Sequence, residues 1–134
     1  MLISFIIPTL NSEKYLDQCL NSILGLDNKG DEVEIIIVDN GSTDSTLTIA
    51  KKYTSQIYIN RNSTIAGLRN IGFHNSEGAL VGFIDSDVIL DKKWLYYGKK
   101  IFQDDSIGIT GGLYGLPENP TWLEKIWYES KCNI

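Results

Sequence analysis

Residues 81–90 read Val-Gly-Phe-Ile-Asp-Ser-Asp-Val-Ile-Leu, an apolar run that is interrupted by two carboxylates one residue apart. The apolar residues before the acids have the length and composition of a buried β-strand. Successive side chains of a strand point to opposite faces, so Asp85 and Asp87 at its end would be directed toward the same point. Two neighbouring carboxylates repel each other unless a cation or a proton lies between them. The stretch therefore predicts a strand that ends in a divalent metal site.

The rest of the chain alternates between strand-like and helix-like patterns. Buried strands are predicted at residues 2–7, 34–38, 57–59, 80–84 and 107–110. Helical spacing of apolar residues separates most of them, with N-caps expected at Asn11 or Ser12, Ser42 or Thr43, and Asp91. This alternation indicates an α/β fold, a mostly parallel sheet with helices on both faces. We expect one domain over residues 1–134, because no linker or repeat divides the chain.

The composition narrows the class of protein. The chain has 134 residues, of which 43% are apolar and 22% charged, which suits one globular core. Its net charge is −5 and it has no block of Lys and Arg, so we expect no nucleic-acid partner. It shows neither a signal-peptide pattern nor a run of about 20 apolar residues. The two cysteines lack metal or redox spacing, so we expect reduced thiols in the cytoplasm.

Polar residues follow four of the predicted strands. Pro8-Thr9 follows the first strand, Asp39 the second, residues 60–63 the third, and the acid pair the fourth. In an open parallel sheet these strand ends share one edge, and ligands bind at that edge. For a single Asp, a role in a cap or a turn is the simpler explanation. Convergence of four polar strand ends favours a binding cleft.

Two side chains near this edge have alternative roles. Asp39 can accept the N–H of a planar heterocycle such as uracil, or it can close an Asx turn. Arg69, on the third predicted helix, can bind a diphosphate bidentately, or it can pair with a nearby carboxylate. Arg61 is a weaker candidate for the same task.

Four segments together resemble the N-terminal half of the family 2 glycosyltransferases, which have the GT-A fold. The segments occur in family order over roughly residues 3–95, and they are Ile6–Asn11, Ile35–Asp44, Gly67–Gly72 and Gly82–Asp87. The resemblance implies a truncated, Rossmann-like GT-A domain that lacks most of the acceptor-binding half.

The resemblance also implies a ligand and the residues that hold it. The donor would be a nucleoside-diphosphate sugar, a UDP- or dTDP-sugar, bound with Mg²⁺ or Mn²⁺. Asp87 would be the main metal ligand, with Asp85 beside it. The donor-binding residues would be Pro8, Thr9, Asp39, Asn40, Arg69, Asp85 and Ser86.

Family membership would make the protein an inverting glycosyltransferase that acts on an acceptor sugar or a lipid-linked glycan, in the cytoplasm or at the membrane periphery. No residue after Asp87 matches a base motif, so the catalytic base is not identified. The apolar face of the last predicted helix, with Trp122 and Trp127, would favour a homodimer.

Two alternatives remain at the level of sequence. The chain can be a non-catalytic donor-binding fragment, because it keeps the donor residues and lacks an evident base. Asp85-Ser86-Asp87-Val88 also fits the motif of haloacid-dehalogenase phosphatases. That motif normally follows the first strand of its domain, whereas here it follows the fourth predicted strand.

Overall fold

The structure is a computed structural model that describes residues 1–112, 115–116 and 119–132, and their side chains except those of residues 127 and 129–132. It contains two compact units, Met1–Lys100 and Ile101–Ile134. The elements in chain order are β1 (Leu2–Thr9), α1 (Leu16–Leu24), β2 (Glu32–Asp39), α2 (Thr46–Ala50), β3 (Ile57–Ile59), α3 (Ile65–His74), β4 (Leu80–Phe83), α4 (Trp94–Ile101) and α5 (Trp122–Cys132). No helix among the described residues is long and apolar enough to cross a bilayer.

The first unit is built on a parallel sheet of four strands in the order β3-β2-β1-β4. Thr9 is in register with Asp39, and Asp39 is in register with Ile59, so three strands end side by side. On the other side of β1, Ile6 is in register with Phe83 at the end of β4. The predicted α/β fold with a parallel sheet is confirmed, and its carboxyl ends lie along one edge.

Helices cover both faces of this sheet. Ile3, Phe5 and Ile7 of β1 belong to the larger core cluster, to which α1 contributes its buried face. Ile6 points to the opposite face, where it packs in a second cluster with Leu68 of α3. This division explains why β1 and β2 are apolar at successive positions, as expected of strands buried on both faces.

A glycine brings α3 close to the sheet. A Cβ added at Gly72 would lie 2.3 Å from Cγ2 of Ile6, so only glycine allows this approach. The helix begins after Thr64, whose Oγ1 accepts the backbone N–H of Gly67 at 3.0 Å. The cap and the close contact together determine where Arg69, on the second turn of α3, lies relative to the strand ends.

Some of the predicted element bounds are wrong. Residues 107–110 form no strand, and Ile109 is 91% exposed. A strand needs a partner for its backbone groups, and the described part of the second unit contains no other strand. α2 begins at Thr46 rather than after Ser42, because the Ser42 side chain bonds to Asp39 instead of capping the helix. The predicted last helix is present as α5.

Candidate functional site

The two acids lie in a turn and not on the strand. β4 ends at Phe83, and the N–H of Val88 donates to the carbonyl of Asp85 at 3.1 Å, which closes a turn around both carboxylates. The Ile84 N–H still donates to the Ile6 carbonyl at 3.1 Å. The next hydrogen bond between β1 and β4 would need a backbone N–H at Pro8, which proline lacks. The strand β4 therefore ends at Phe83. The prediction that strand alternation directs the two acids is therefore wrong.

Arg69 neutralises one of the acids. Its Nη2 lies 2.7 Å from Oδ1 of Asp85, whose side chain is 51% exposed. The Arg69 Nε is inaccessible to solvent and has no hydrogen-bond partner among the described residues. Asp87 is exposed, and no hydrogen bond from the described residues reaches its carboxylate. The turn thus combines two negative charges with a single positive one.

The underside of the acid turn rests on buried side chains. Sγ of Cys19, on α1, donates to the carbonyl oxygen of Asp85 at 3.6 Å. Burial, together with the negative charges of Asp87 and Asp85, raises the pKa of the Cys19 thiol to about 12. Oγ of Ser86 lies 2.8 Å from Oγ of Ser12, in the loop after β1. Ser86 therefore faces the protein interior.

The carboxylate of Asp39 is completely buried and accepts four hydrogen bonds. Its Oδ1 accepts the backbone N–H of Gly41 at 2.8 Å and that of Ser42 at 2.7 Å. Its Oδ2 accepts the hydroxyls of Thr9 at 2.8 Å and Ser42 at 2.5 Å. A carboxylate offers about four acceptor positions, so all of them are filled. The Asx-turn contacts anticipated from the sequence are therefore present.

Asn40 joins the loop after β2 to the loop after β3. Its Nδ2 donates to the carbonyl of Ser63 at 3.1 Å, and its Oδ1 accepts the Ser63 N–H at 2.9 Å. Arg61 lies in the same loop, and a Cβ added at Gly41, where φ is +91°, would be 2.8 Å from its Cγ. The Arg61 stem therefore packs directly on the turn that follows Asp39.

A second set of contacts, which sequence reasoning missed, joins the loops after β1 and β2. Oδ1 of Asn11 accepts the N–H of Thr43 at 2.9 Å, and Oε2 of Glu13 accepts that of Ser45, also at 2.9 Å. In return, Oδ2 of Asp44 accepts the Glu13 N–H at 3.1 Å. The only signal in the sequence is the density of Asn, Asp, Ser and Thr, which favour such local bonds.

The predicted site residues thus form two groups at one edge. Thr9, Asp39 and Asn40 are linked around the ends of β1 and β2, and Pro8 is in register with Val38 beside them. Arg69, Asp85, Ser86 and Asp87 surround the turn after β4. Ser12 connects the groups, since its N–H donates to Thr46 and its hydroxyl meets Ser86.

The acid turn offers two carboxylates of the kind that bind a divalent cation. No group of three His, Cys, Asp or Glu side chains gathers as a metal site among the described residues. The donor set is therefore two carboxylates, of which Asp85 uses only Oδ1 in its ion pair. Mg²⁺ is often held by one or two carboxylates plus the phosphates of a substrate. The residues fit a metal that arrives with a diphosphate.

An open parallel sheet with Thr, Asp, Asn and Arg side chains at its carboxyl edge makes this an α/β protein of the Rossmann-like type, and its fold matches the GT-A fold of Staphylococcus aureus TarS. The chain belongs to glycosyl transferase family 2, whose family model matches residues 4–130. That family is a different class from the haloacid-dehalogenase phosphatases, so the phosphatase alternative has no support.

Known proteins support the same assignment. The chain is 40% identical to the poly(ribitol-phosphate) beta-N-acetylglucosaminyltransferase TarS of Staphylococcus aureus, over 71% of this chain and 18% of TarS. It is 31% identical to the glycosyltransferase AglE of Haloferax volcanii, over 98% of this chain and 45% of AglE. The chain therefore spans less than half the length of either relative.

Solved structures agree in fold. Residues 1–349 of S. aureus TarS in complex with UDP superpose with a TM-score of 0.65 at 30% identity, over 89% of this chain and 40% of that one. Glucosyl-3-phosphoglycerate synthase of Mycobacterium tuberculosis, in complex with Mn²⁺ and UDP-glucose, gives a TM-score of 0.56 at 28% identity, over 65% of this chain and 33% of that one.

Proposed function

We propose that this chain is the nucleotide-sugar-binding part of an inverting family 2 glycosyltransferase. The observation that carries the proposal is the acid turn, Asp85 to Val88, which lies at the carboxyl edge of the sheet in a chain of this family. The donor is a UDP- or dTDP-sugar. UDP bound to TarS, a relative in the matched region, supports the choice of a uridine nucleotide.

The nucleoside lies against the ends of β1 and β2, beside Pro8, Thr9, Asp39 and Asn40. Because Asp39 already accepts four donors, its carboxylate reaches a uracil N–H only if the hydroxyl of Thr9 or Ser42 rotates away. A hydroxyl can make this rotation without moving the backbone. Asn40 acts mainly through Ser63, whose loop it holds beside the ends of β2 and β3.

The diphosphate lies over the acid turn. Asp87, which has no competing partner among the described residues, would be the main ligand of Mg²⁺ or Mn²⁺, and Asp85 would assist it. The metal, when bound, neutralises the charge of the departing nucleoside diphosphate. Mn²⁺ in the complex of the M. tuberculosis synthase supports this choice of cofactor. Arg69, held beside Asp85, offers a guanidinium to the same phosphates.

In the reaction, a hydroxyl oxygen of the acceptor forms a bond to the anomeric carbon while the bond from that carbon to the diphosphate breaks. The hydroxyl proton passes to a base. The base is not identified among the residues of this chain, which spans less than half the length of these relatives, and the acceptor is an acceptor sugar or a lipid-linked glycan. We propose that the protein acts in the cytoplasm, either free or at the membrane periphery. The second candidate function is donor binding without transfer.

Titration calorimetry with UDP, with and without Mn²⁺, tests the proposal. Mn²⁺ is expected to strengthen UDP binding, and Asp87→Asn is expected to remove that gain because the amide carries no charge. Asp27→Asn, an exposed acid on the α1–β2 loop, is the matched control and should keep the gain. Equal UDP affinity with and without metal in the unsubstituted chain would contradict the proposal. Release of free sugar from UDP-sugar would distinguish turnover from binding alone.

A further inference from the structure

Ser86 lies between the two acids, and its hydroxyl contacts Ser12 in the loop after β1. Oγ of Ser86 is 2.8 Å from Oγ of Ser12, and Ser12 is only 7% exposed. The backbone N–H of Ser12 donates to Oγ1 of Thr46 at 2.7 Å, and Thr46 is completely buried. Oγ1 of Thr46 in turn donates to Asp44 at 2.5 Å. The middle of the acid turn is thus anchored to the loops after β1 and β2.

Asp87 depends on this anchor more than Asp85 does. Asp85 is held by the guanidinium of Arg69 at 2.7 Å and by Cys19, which donates to its carbonyl oxygen. The Asp87 carboxylate has no hydrogen-bond partner among the described residues, so its direction is set by the backbone of the turn alone. On either side of it along the chain, the Ser86 hydroxyl contacts Ser12 and the Val88 side chain packs against the larger core cluster.

We propose that Ser12 and Ser86 form a hydroxyl pair that positions Asp87 for the metal. The inference rests on the proposed function. It assigns a part to Ser12, whose hydroxyl is engaged by Ser86. It also changes the part of Ser86 from a donor contact to a positioning residue. Both hydroxyls would act through the single hydrogen bond between them.

The test compares Ser12→Ala, Ser86→Ala and the double variant by titration with UDP, with and without Mn²⁺. A neutral hydrogen bond contributes about 1 kcal/mol, so each variant should reduce the Mn²⁺-dependent gain in UDP affinity roughly two- to tenfold. UDP affinity without metal should be unchanged. Because the two hydroxyls share one bond, the double variant should lose no more than a single one.

Two further variants serve as controls for the loss of the hydroxyl and for substitution of a serine as such. Ser86→Thr keeps the hydroxyl in a half-buried position and should retain the gain. Ser55→Ala removes an exposed hydroxyl before β3, at the opposite end of the sheet, and should change nothing. Binding of Mn²⁺ with UDP, followed by electron paramagnetic resonance, gives a readout that does not depend on turnover. Thermal unfolding verifies that each variant is folded.

The outcomes are distinct. A Mn²⁺-dependent gain that survives in Ser12→Ala would overturn this inference and leave the proposed function in place. Loss of metal-free UDP affinity in Ser86→Ala alone would also overturn it, in favour of direct contact between Ser86 and the donor. Absence of any Mn²⁺-dependent gain in the unsubstituted chain would overturn both the proposed function and the inference. Equal losses in both single variants, with no further loss in the double variant, would support it.

Discussion

Substitution of Asp39 should destabilise the fold as well as weaken nucleotide binding. Its carboxylate is fully buried and accepts the N–H groups of Gly41 and Ser42 and the hydroxyls of Thr9 and Ser42. These bonds hold the turn after β2 against the end of β1. Asp39→Ala removes every one of these acceptors, whereas Asp39→Asn keeps one carbonyl oxygen and the size of the side chain.

The size of each effect follows from which donors lose their partner. In Asp39→Ala two half-buried backbone N–H groups, those of Gly41 and Ser42, lose their acceptor, and each such group costs up to about 1–3 kcal/mol. The two hydroxyls can rotate to other acceptors, so we expect a total loss of about 2–5 kcal/mol in the free energy of unfolding. In Asp39→Asn the carbonyl oxygen still accepts both N–H groups, whereas the charge and the acceptor of the Thr9 and Ser42 hydroxyls are lost, and each hydroxyl can instead accept from the new amide group. That change should cost about 1–2 kcal/mol.

Urea unfolding of the first unit, followed by circular dichroism, measures both losses, with exposed Asp27→Ala as the control. UDP titration of the same variants separates support of the turn from contact with uracil. If Asp39 acts only by holding the turn, Asp39→Asn should retain most of the UDP affinity. If its carboxylate accepts the uracil N–H, both variants should lose about 1–3 kcal/mol of binding free energy.

The stability result has a clear refuting outcome. An unfolding free energy for Asp39→Ala within about 0.5 kcal/mol of the unsubstituted chain, the range of ordinary surface changes, would show that the four hydrogen bonds do not hold the turn. An Asp39→Asn variant less stable than Asp39→Ala would also refute the reasoning. It would mean that the retained carbonyl oxygen of Asn contributes less than the new amide N–H groups cost beside the existing donors.

The remaining predictions concern burial, packing and association. With Cys132→Ser in the background, Cys19 should resist a thiol reagent at pH 8 and react only after unfolding, because its pKa is raised to about 12. Since its ordinary pKa is 9.0, the stability that the neutral thiol contributes should be complete below about pH 9 and be lost as the pH rises toward 12, measurable by urea unfolding across that range. Gly72→Ala should destabilise by about 1–3 kcal/mol because the new methyl group meets Ile6. Gly98→Ala, in α4 with nothing within 4 Å, should stabilise by up to about 1 kcal/mol, so equal unfolding midpoints for the two variants would contradict the packing argument. Trp122, which is 68% exposed on α5, should favour a homodimer. Light scattering should therefore show weaker self-association for Trp122→Glu, and a monomeric parent at high concentration would argue against a homodimer.

Some of the site was accessible from residue patterns and some was not. The convergence of Thr9 and Asp39 at one edge follows from the parallel order of the strands, which the apolar runs predict. The sequence allows Arg69 either to pair with a carboxylate or to bind a diphosphate, and the residue pattern cannot choose between these roles because both need only proximity. The Ser12–Ser86 pair joins residues 74 positions apart in the chain, and no local signal indicates it.

By itself the sequence determined the α/β class, the strand ends that carry polar residues and the resemblance to family 2. Buried strands and loop motifs can be recognised from residues that are close together in the chain. Tertiary structure decided that Asp85 and Asp87 lie in a turn. That outcome depends on Pro8 of a neighbouring strand, which has no N–H to extend the ladder at the point where β4 would otherwise continue. Tertiary structure also decided that all four acceptor positions of the Asp39 carboxylate are occupied by donors from its own loop and from Thr9. Hydrogen bonds between segments depend on how the segments are brought together in three dimensions.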